Sequence, residues 1–218
     1  MVTRRSLLGA AAGAPVLGLV PSTAANAAEP AKWTRRTSAN GWRIDPAAVA
    51  TFRIEGSRAS VRLRAGAPAA VLLHLARRWH YEIAPLDTGE GGGIAAFTTD
   101  RTVGAGFESN YLSGTAIALH PNAYPLNGSE RLWPFQEEIV RDILLDLDGI
   151  VAWGGDLTPV KSSHFHLAVR AGDPALARVA AKVDTSHQTA GRQQTPGAVA
   201  DPAIPARRDR ARRLPRPR

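Results

Sequence analysis

No cysteine occurs anywhere in the 218 residues, which excludes disulfides, thiolate zinc sites and a cysteine nucleophile outright. Any metal would need histidine, carboxylate or weaker oxygen ligands. A membrane-spanning run is also missing: the apolar segment ending at Val20 is about 14 residues long and broken by Gly and Pro, short of the ~20 a spanning helix needs. No G-x-S-x-G elbow, P-loop or C-x-x-C pair is present, so serine-hydrolase, nucleotide and thiol-redox chemistry have no motif behind them. A basic footprint is lacking too, despite a formal net charge of +8. Arg4 and Arg5 supply +2, residues 207–218 with seven Arg and one Asp supply +6, and everything between sums to zero. No nucleic-acid partner is therefore expected.

What is present begins with an export pattern. Thr3-Arg4-Arg5-Ser6-Leu7-Leu8 precedes the apolar run, and Ala25-Asn26-Ala27 reads as an A-x-A cleavage site. The paired arginines fit the twin-arginine route, with an ordinary secretory signal as the alternative; on either reading residues 1–28 are expected to be a signal peptide and the mature protein to be extracytoplasmic, in the cell wall or secreted. At the other end, residues 184–218 are rich in Gln, Thr, Ala, Pro and Arg without apolar periodicity, and disorder is expected there. An arginine tail outside the cell would suit anionic wall polymers; a solvated appendage is the plainer alternative.

Between these ends, residues 29–58 read as a linker and N-terminal extension, and 59–183 as one domain. Ser60 to Arg64 alternates as a strand. Pro68 opens a helix whose stripe is Val71, Leu72, Leu75, Ala76 and Trp79, with His74 and Arg78 expected on its surface. A long loop follows from Asp87 to Gly106, with a weak strand near Ile94, and then a short strand from Thr115 to Leu119. Pro134 opens a second helix with Phe135, Ile139, Ile143, Leu144 and Leu147 at helical spacing. Strands are expected at 150–153 and 165–169, and Asp173 is placed to cap a last helix. Strands and helices mixed without strict alternation predict an α+β fold, a small and mainly antiparallel sheet with packed helices.

The chemistry-bearing residues are Ser109 to Leu119, Trp153-Gly154-Gly155-Asp156 and His164-Phe165. Together they resemble the zinc D-alanyl-D-alanine carboxypeptidase family, including its L-alanyl-D-glutamate endopeptidase branch, with its Hedgehog/DD-peptidase-like fold. The resemblance covers roughly residues 70 to 170 and rests on the Ser113-Gly114-Thr115-Ala116-Ile117 core and the Trp-Gly-Gly-Asp block at family-like spacing. It implies hydrolysis of wall peptides by zinc held through His, Asp and His, with a carboxylate as general base for the bound water.

At those positions this chain carries Tyr111 for the first His, Ala118 for the Asp and Lys161 for the general base; only His164 remains. One neutral imidazole does not retain zinc, and a phenol with pKa near ~10 must ionise before it can ligate. Catalytic residues are therefore unassigned, and no cofactor is expected unless zinc returns through a rebuilt site. His120 and His166, each two residues from a family position on an extended strand, are the candidates to join His164 in such a site. The alternative is a binding module that holds peptidoglycan stem peptides without cutting them, with Arg101, Tyr111, Ser113 and Lys161 as substrate contacts.

Overall fold

The structure, a computed structural model, describes residues 29–183 and 205–214. The expected signal peptide, residues 184–204 and residues 215–218 lie outside it. Strand β1, Ala31–Lys32, opens the fold, followed by the hairpin strands β2, Val49–Arg53, and β3, Ser60–Arg64. Helix α1, Ala67–Glu82, comes next, with Gly66 at φ 85 preceding it and Pro68 in its first turn. Two short strands, β4 (Ile94–Ala95) and β5 (Thr102–Val103), punctuate the long loop, and β5 pairs back with β1. A 3₁₀ segment, Gly106–Tyr111, leads into β6, Ala116–Leu119. Then follow α2 (Pro134–Asp146), β7 (Val151–Trp153), β8 (His164–Leu167) and α3 (Pro174–Val183), the last entered through Asp173 Oδ1, which accepts from the Ala175 N–H at 2.8 Å. Helix α4, Pro205–Arg212, closes the described chain.

Antiparallel strands in the order β4-β6-β8-β7 form the main sheet, and the whole is an α+β fold. Strand alternation sorts its side chains. On one face Ile117, Leu119, Val151, Trp153, Phe165 and Leu167 enter the main core with Leu72, Leu75 and Trp79 of α1. Trp79 meets Phe165 edge-on at 5.8 Å between ring centroids. The register pairs Ala118 with His164, and His166 with both Ala116 and Ala152, so the opposite face carries three alanines and two histidines. The 3₁₀ segment lies over that second face, where Tyr111, Ala116 and Ala118 form a separate small cluster.

Several expectations need correcting. The segment 29–58 is no free linker: it supplies β1 and β2 and buries Ser38 and Trp42. Residues 205–214 of the expected disordered tail contain α4, which packs on α2. The cause is electrostatic. Asp142 and Asp146, four apart on α2, face Arg78 of α1, which lies 3.0 Å and 2.7 Å from them and is bound by Glu82 at 2.6 Å. Arg207 of α4 closes the same network, with Nε 2.5 Å from Asp142 and Nη2 2.9 Å from Asp146. Arg78 is therefore buried rather than on a surface face. Phe135, expected in the stripe of α2, is 61% exposed, because the buried side of that helix is set by Val140, Ile143 and Leu144. No described helix is long and apolar enough to cross a membrane.

Candidate functional site

The alternation of β8 puts His164 and His166 on the alanine face, and small side chains on the flanking strands leave room for both rings. Tyr111 reaches His164 from the 3₁₀ segment, its hydroxyl 2.7 Å from Nδ1. His164 Nε2 in turn lies 2.9 Å from His166 Nδ1. Phe107 covers His164 at 4.7 Å between ring centroids. Burial, then His166 and Lys161, hold the His164 imidazole well below its ordinary pKa, and burial lowers His166 to about 4. Burial, and secondarily Glu108, push the Tyr111 phenol well above its usual range. All three groups are thus neutral near pH 7, and one consistent arrangement runs from the Tyr111 O–H to Nδ1 of His164 and from its Nε2–H to His166.

Lys161 stands at the edge of this cluster, which forms the rim. Its Nζ lies 5.3 Å from the Tyr111 ring centroid and 2.5 Å from Glu108 Oε1, with both side chains largely buried. Glu108 is itself fixed by the Gly104 N–H, which donates to Oε2 at 2.8 Å. The charge expected to repel a cation or attract a carboxylate is therefore already neutralised inside the protein. Tyr111, Ala118, Lys161 and His164, far apart in sequence, are gathered at one place.

Other residues singled out in the sequence are not part of this site. Ser113 is fully buried, and its hydroxyl is engaged by Ser38 at 2.9 Å, Thr115 at 2.8 Å and the Asn110 carbonyl at 3.0 Å. It belongs to a polar clasp that sequence reading missed, because Ser38 and Asn40 carry no periodic signal. Asn40 Nδ2 donates to Thr115 and to the Leu167 carbonyl, each at 2.9 Å, while the backbone N–H groups of Ala39 and Asn40 donate to Ser109 and Asn110. The Ser-Asn…Ser-Gly-Thr motif thus holds the N-terminal segment against the sheet. Gly114 is required for another reason: at φ 69, a Cβ there would sit 2.7 Å from the Arg64 backbone nitrogen. Gly154 has a similar role, since its Cβ would meet the Lys161 carbonyl oxygen at 2.1 Å.

Arg101 donates to the carbonyls of Trp33 and Arg35, both at 3.1 Å, and so fastens the N-terminal segment. Asp156 is paired with Arg141, whose guanidinium also lies 4.7 Å from the Trp153 ring centroid. His120 does not join His164 and His166. Its φ of 51 ends the extended geometry on which the two-residue argument depended. The ring instead lies 6.1 Å from Trp79 on the core side, with Nδ1 2.8 Å from the Glu90 carbonyl.

These residues do not fit a zinc ion. Ala118 has no donor atom, the Tyr111 phenol is held protonated, and His164 has both nitrogens engaged. Among the described residues no group of three or more His, Asp or Glu side chains is placed to hold a metal. No family model, curated protein or solved structure matches the chain.

Proposed function

We propose that this chain is an exported, peptidoglycan-directed domain of the D,D-carboxypeptidase type that binds wall stem peptides and has lost the zinc hydrolysis implied by its resemblance. The observation that carries the reading is the convergence of Tyr111, Ala118, Lys161 and His164 on one sheet face. These are the positions where that family would place its ligands and base, here filled by a neutral hydrogen-bonded Tyr111–His164 pair, an alanine and a lysine paired with Glu108. Export rests on Arg4-Arg5 and Ala25-Asn26-Ala27.

Recognition falls to the rim, because His164 itself is fully buried. Phe107, Glu108, Lys161 and His166 are partly exposed there. A ligand carboxylate reaches Lys161 by displacing Glu108, and a ligand ammonium or amide N–H is met by Glu108, so the pair suits a zwitterionic peptide. The test is equilibrium binding of a stem pentapeptide ending in D-Ala-D-Ala, with release of D-Ala followed in parallel with and without zinc. Binding without release is expected, weakened by Lys161→Met. Absence of binding would overturn the reading, and chelator-sensitive turnover would overturn the loss of hydrolysis.

A further inference from the structure

Two concavities border α2. One, of about 250 Å³, lies against α4, and its side chains Glu138, Asp142, Arg207 and Arg208 are engaged in ion pairs with one another. The other, of about 590 Å³, is bordered by Asn122, Tyr124, Glu130, Arg131, Trp133 and Pro134. Its volume lies within the range of small-molecule sites. Trp133 is 68% exposed, which leaves a large apolar ring face in water. An exposed indole bordering a cleft marks a contact surface more than a folding need. The backbone that presents the ring is held in place: Pro134 follows it in the first turn of α2, and the Trp133 backbone N–H donates to Gln136 Oε1 at 3.0 Å.

The polar groups around the indole are an amide, a phenol, a carboxylate and a guanidinium. Glu130 and Arg131 have opposite signs, so the groove has no net charge to draw an ionic ligand. A flat apolar face ringed by donors and acceptors of zero net charge matches a pyranose ring, whose C–H face stacks while hydroxyl and acetamido groups meet the polar rim. The groove also adjoins the loop that carries Lys161. The Asn127 N–H donates to the Val160 carbonyl at 2.8 Å, and Ser163 Oγ to the Tyr124 carbonyl at 2.7 Å.

We infer that this groove is a saccharide subsite for the N-acetylated glycan part of a ligand whose peptide arm lies at the Phe107–Lys161 rim. The inference rests on the peptide reading above and extends it from a free peptide to a glycan-linked one. To test it, the full chain is titrated separately with a peptide-free N-acetylglucosamine–N-acetylmuramic acid disaccharide, a chitotriose, the free stem pentapeptide and the disaccharide-pentapeptide, with calorimetry and indole fluorescence as readouts.

Both saccharides should bind and perturb the fluorescence, and the linked ligand should bind more tightly than either half. Trp133→Ala should weaken saccharide binding by about tenfold or more, Trp133→Phe should retain part of it, and neither should alter pentapeptide affinity. Wild-type protein that binds no saccharide, or Trp133→Ala that binds it unchanged, would overturn the inference. Pentapeptide binding without saccharide binding would remove the subsite and leave the peptide reading standing. Saccharide binding without pentapeptide binding would keep the subsite and remove the peptide reading. Self-association abolished by Trp133→Ala, with no saccharide bound, would reassign the aromatic face to protein contact.

Discussion

The phenolic oxygen of Tyr111 lies 2.7 Å from Nδ1 of His164, joining two residues separated by 53 positions. His164 is completely buried, so Tyr111→Phe leaves a ring nitrogen without a partner in an apolar setting. The expected loss of stability is about 1–3 kcal/mol, read from urea denaturation midpoints at unchanged m-value.

Installing the side chains implied by the resemblance should create metal affinity. Tyr111→His, Ala118→Asp and Lys161→Asp together would supply two nitrogens, a ligating carboxylate and a nearby carboxylate on one sheet face. One equivalent of zinc is expected in the triple variant and none in the wild type, as determined by elemental analysis after dialysis. A metal-free triple variant that still folds would show that the positions converge too loosely for ligation.

Two glycines should resist substitution. Gly114→Ala places a Cβ 2.7 Å from a backbone nitrogen at positive φ, and Gly154→Ala places one 2.1 Å from a backbone oxygen. Neither obstacle is a flexible side chain, so each change should destabilise by about 2 kcal/mol or more. Gly172→Ala, with positive φ but open space around it, is the comparison and should be milder in thermal melts.

His74 gives an acid-side dependence. Burial, then the neighbouring Arg77, lower its pKa from 6.5 to about 4, against the opposing pull of Asp146; Arg78 and Lys182 lower it further. The unfolded chain therefore binds a proton that the folded one refuses, and stability falls as pH drops from about 6.5 to about 4. The loss from this group is on the order of 3 kcal/mol. His74→Gln should make that part of the stability-versus-pH curve shallower, with the remaining slope carried by His164 and His166, while leaving the plateau above pH 7 little changed.

Helix α4 should be salt-sensitive. Arg207 binds Asp142 and Asp146, Arg208 binds Glu138, and Ala211 is the one buried residue within the helix. Raising the ionic strength from 0.1 M to about 1 M shortens the screening length from ~10 to ~3 Å. Amide exchange within residues 205–214 should accelerate accordingly, and Arg207→Ala should produce the same effect at low salt.

Periodicity made much of this molecule legible. The stripe from Val71 to Trp79, the alternation of Phe165 and Leu167, and Asp173-Pro174 at a helix start all lie where the sequence puts them. The gathering of Tyr111, Ala118, Lys161 and His164 is what the family resemblance implies, and neither periodicity nor composition points to it. What escaped depends on backbone turns and polar partners that carry no period. One left-handed residue sends His120 to the core side. Ser38 and Asn40 look like linker residues until Ser113 and Thr115 stand opposite them. An arginine-rich tail has no apolar stripe, and its docking is visible only once Asp142 and Asp146 are known to face the same way.

The polar clasp also dictates an order of assembly. Asn40 bridges Thr115 and Leu167 across sequence separations of 75 and 127 residues, so it cannot close until β6 and β8 are paired. A chain emerging from the ribosome presents Ser38 and Asn40 long before their partners exist. The segment must wait in solution, and the sheet face bearing Tyr111 and His164 is completed only when nearly the whole domain has been synthesised. Such long-range closure is a slow kind of folding event. A ribosome-stalled chain ending before residue 164 contains Ser109 and Asn110, the acceptors of the Ala39 and Asn40 amides, but lacks β8 and Leu167, so protection at those amides should be weaker than in the full chain even with α1 already formed.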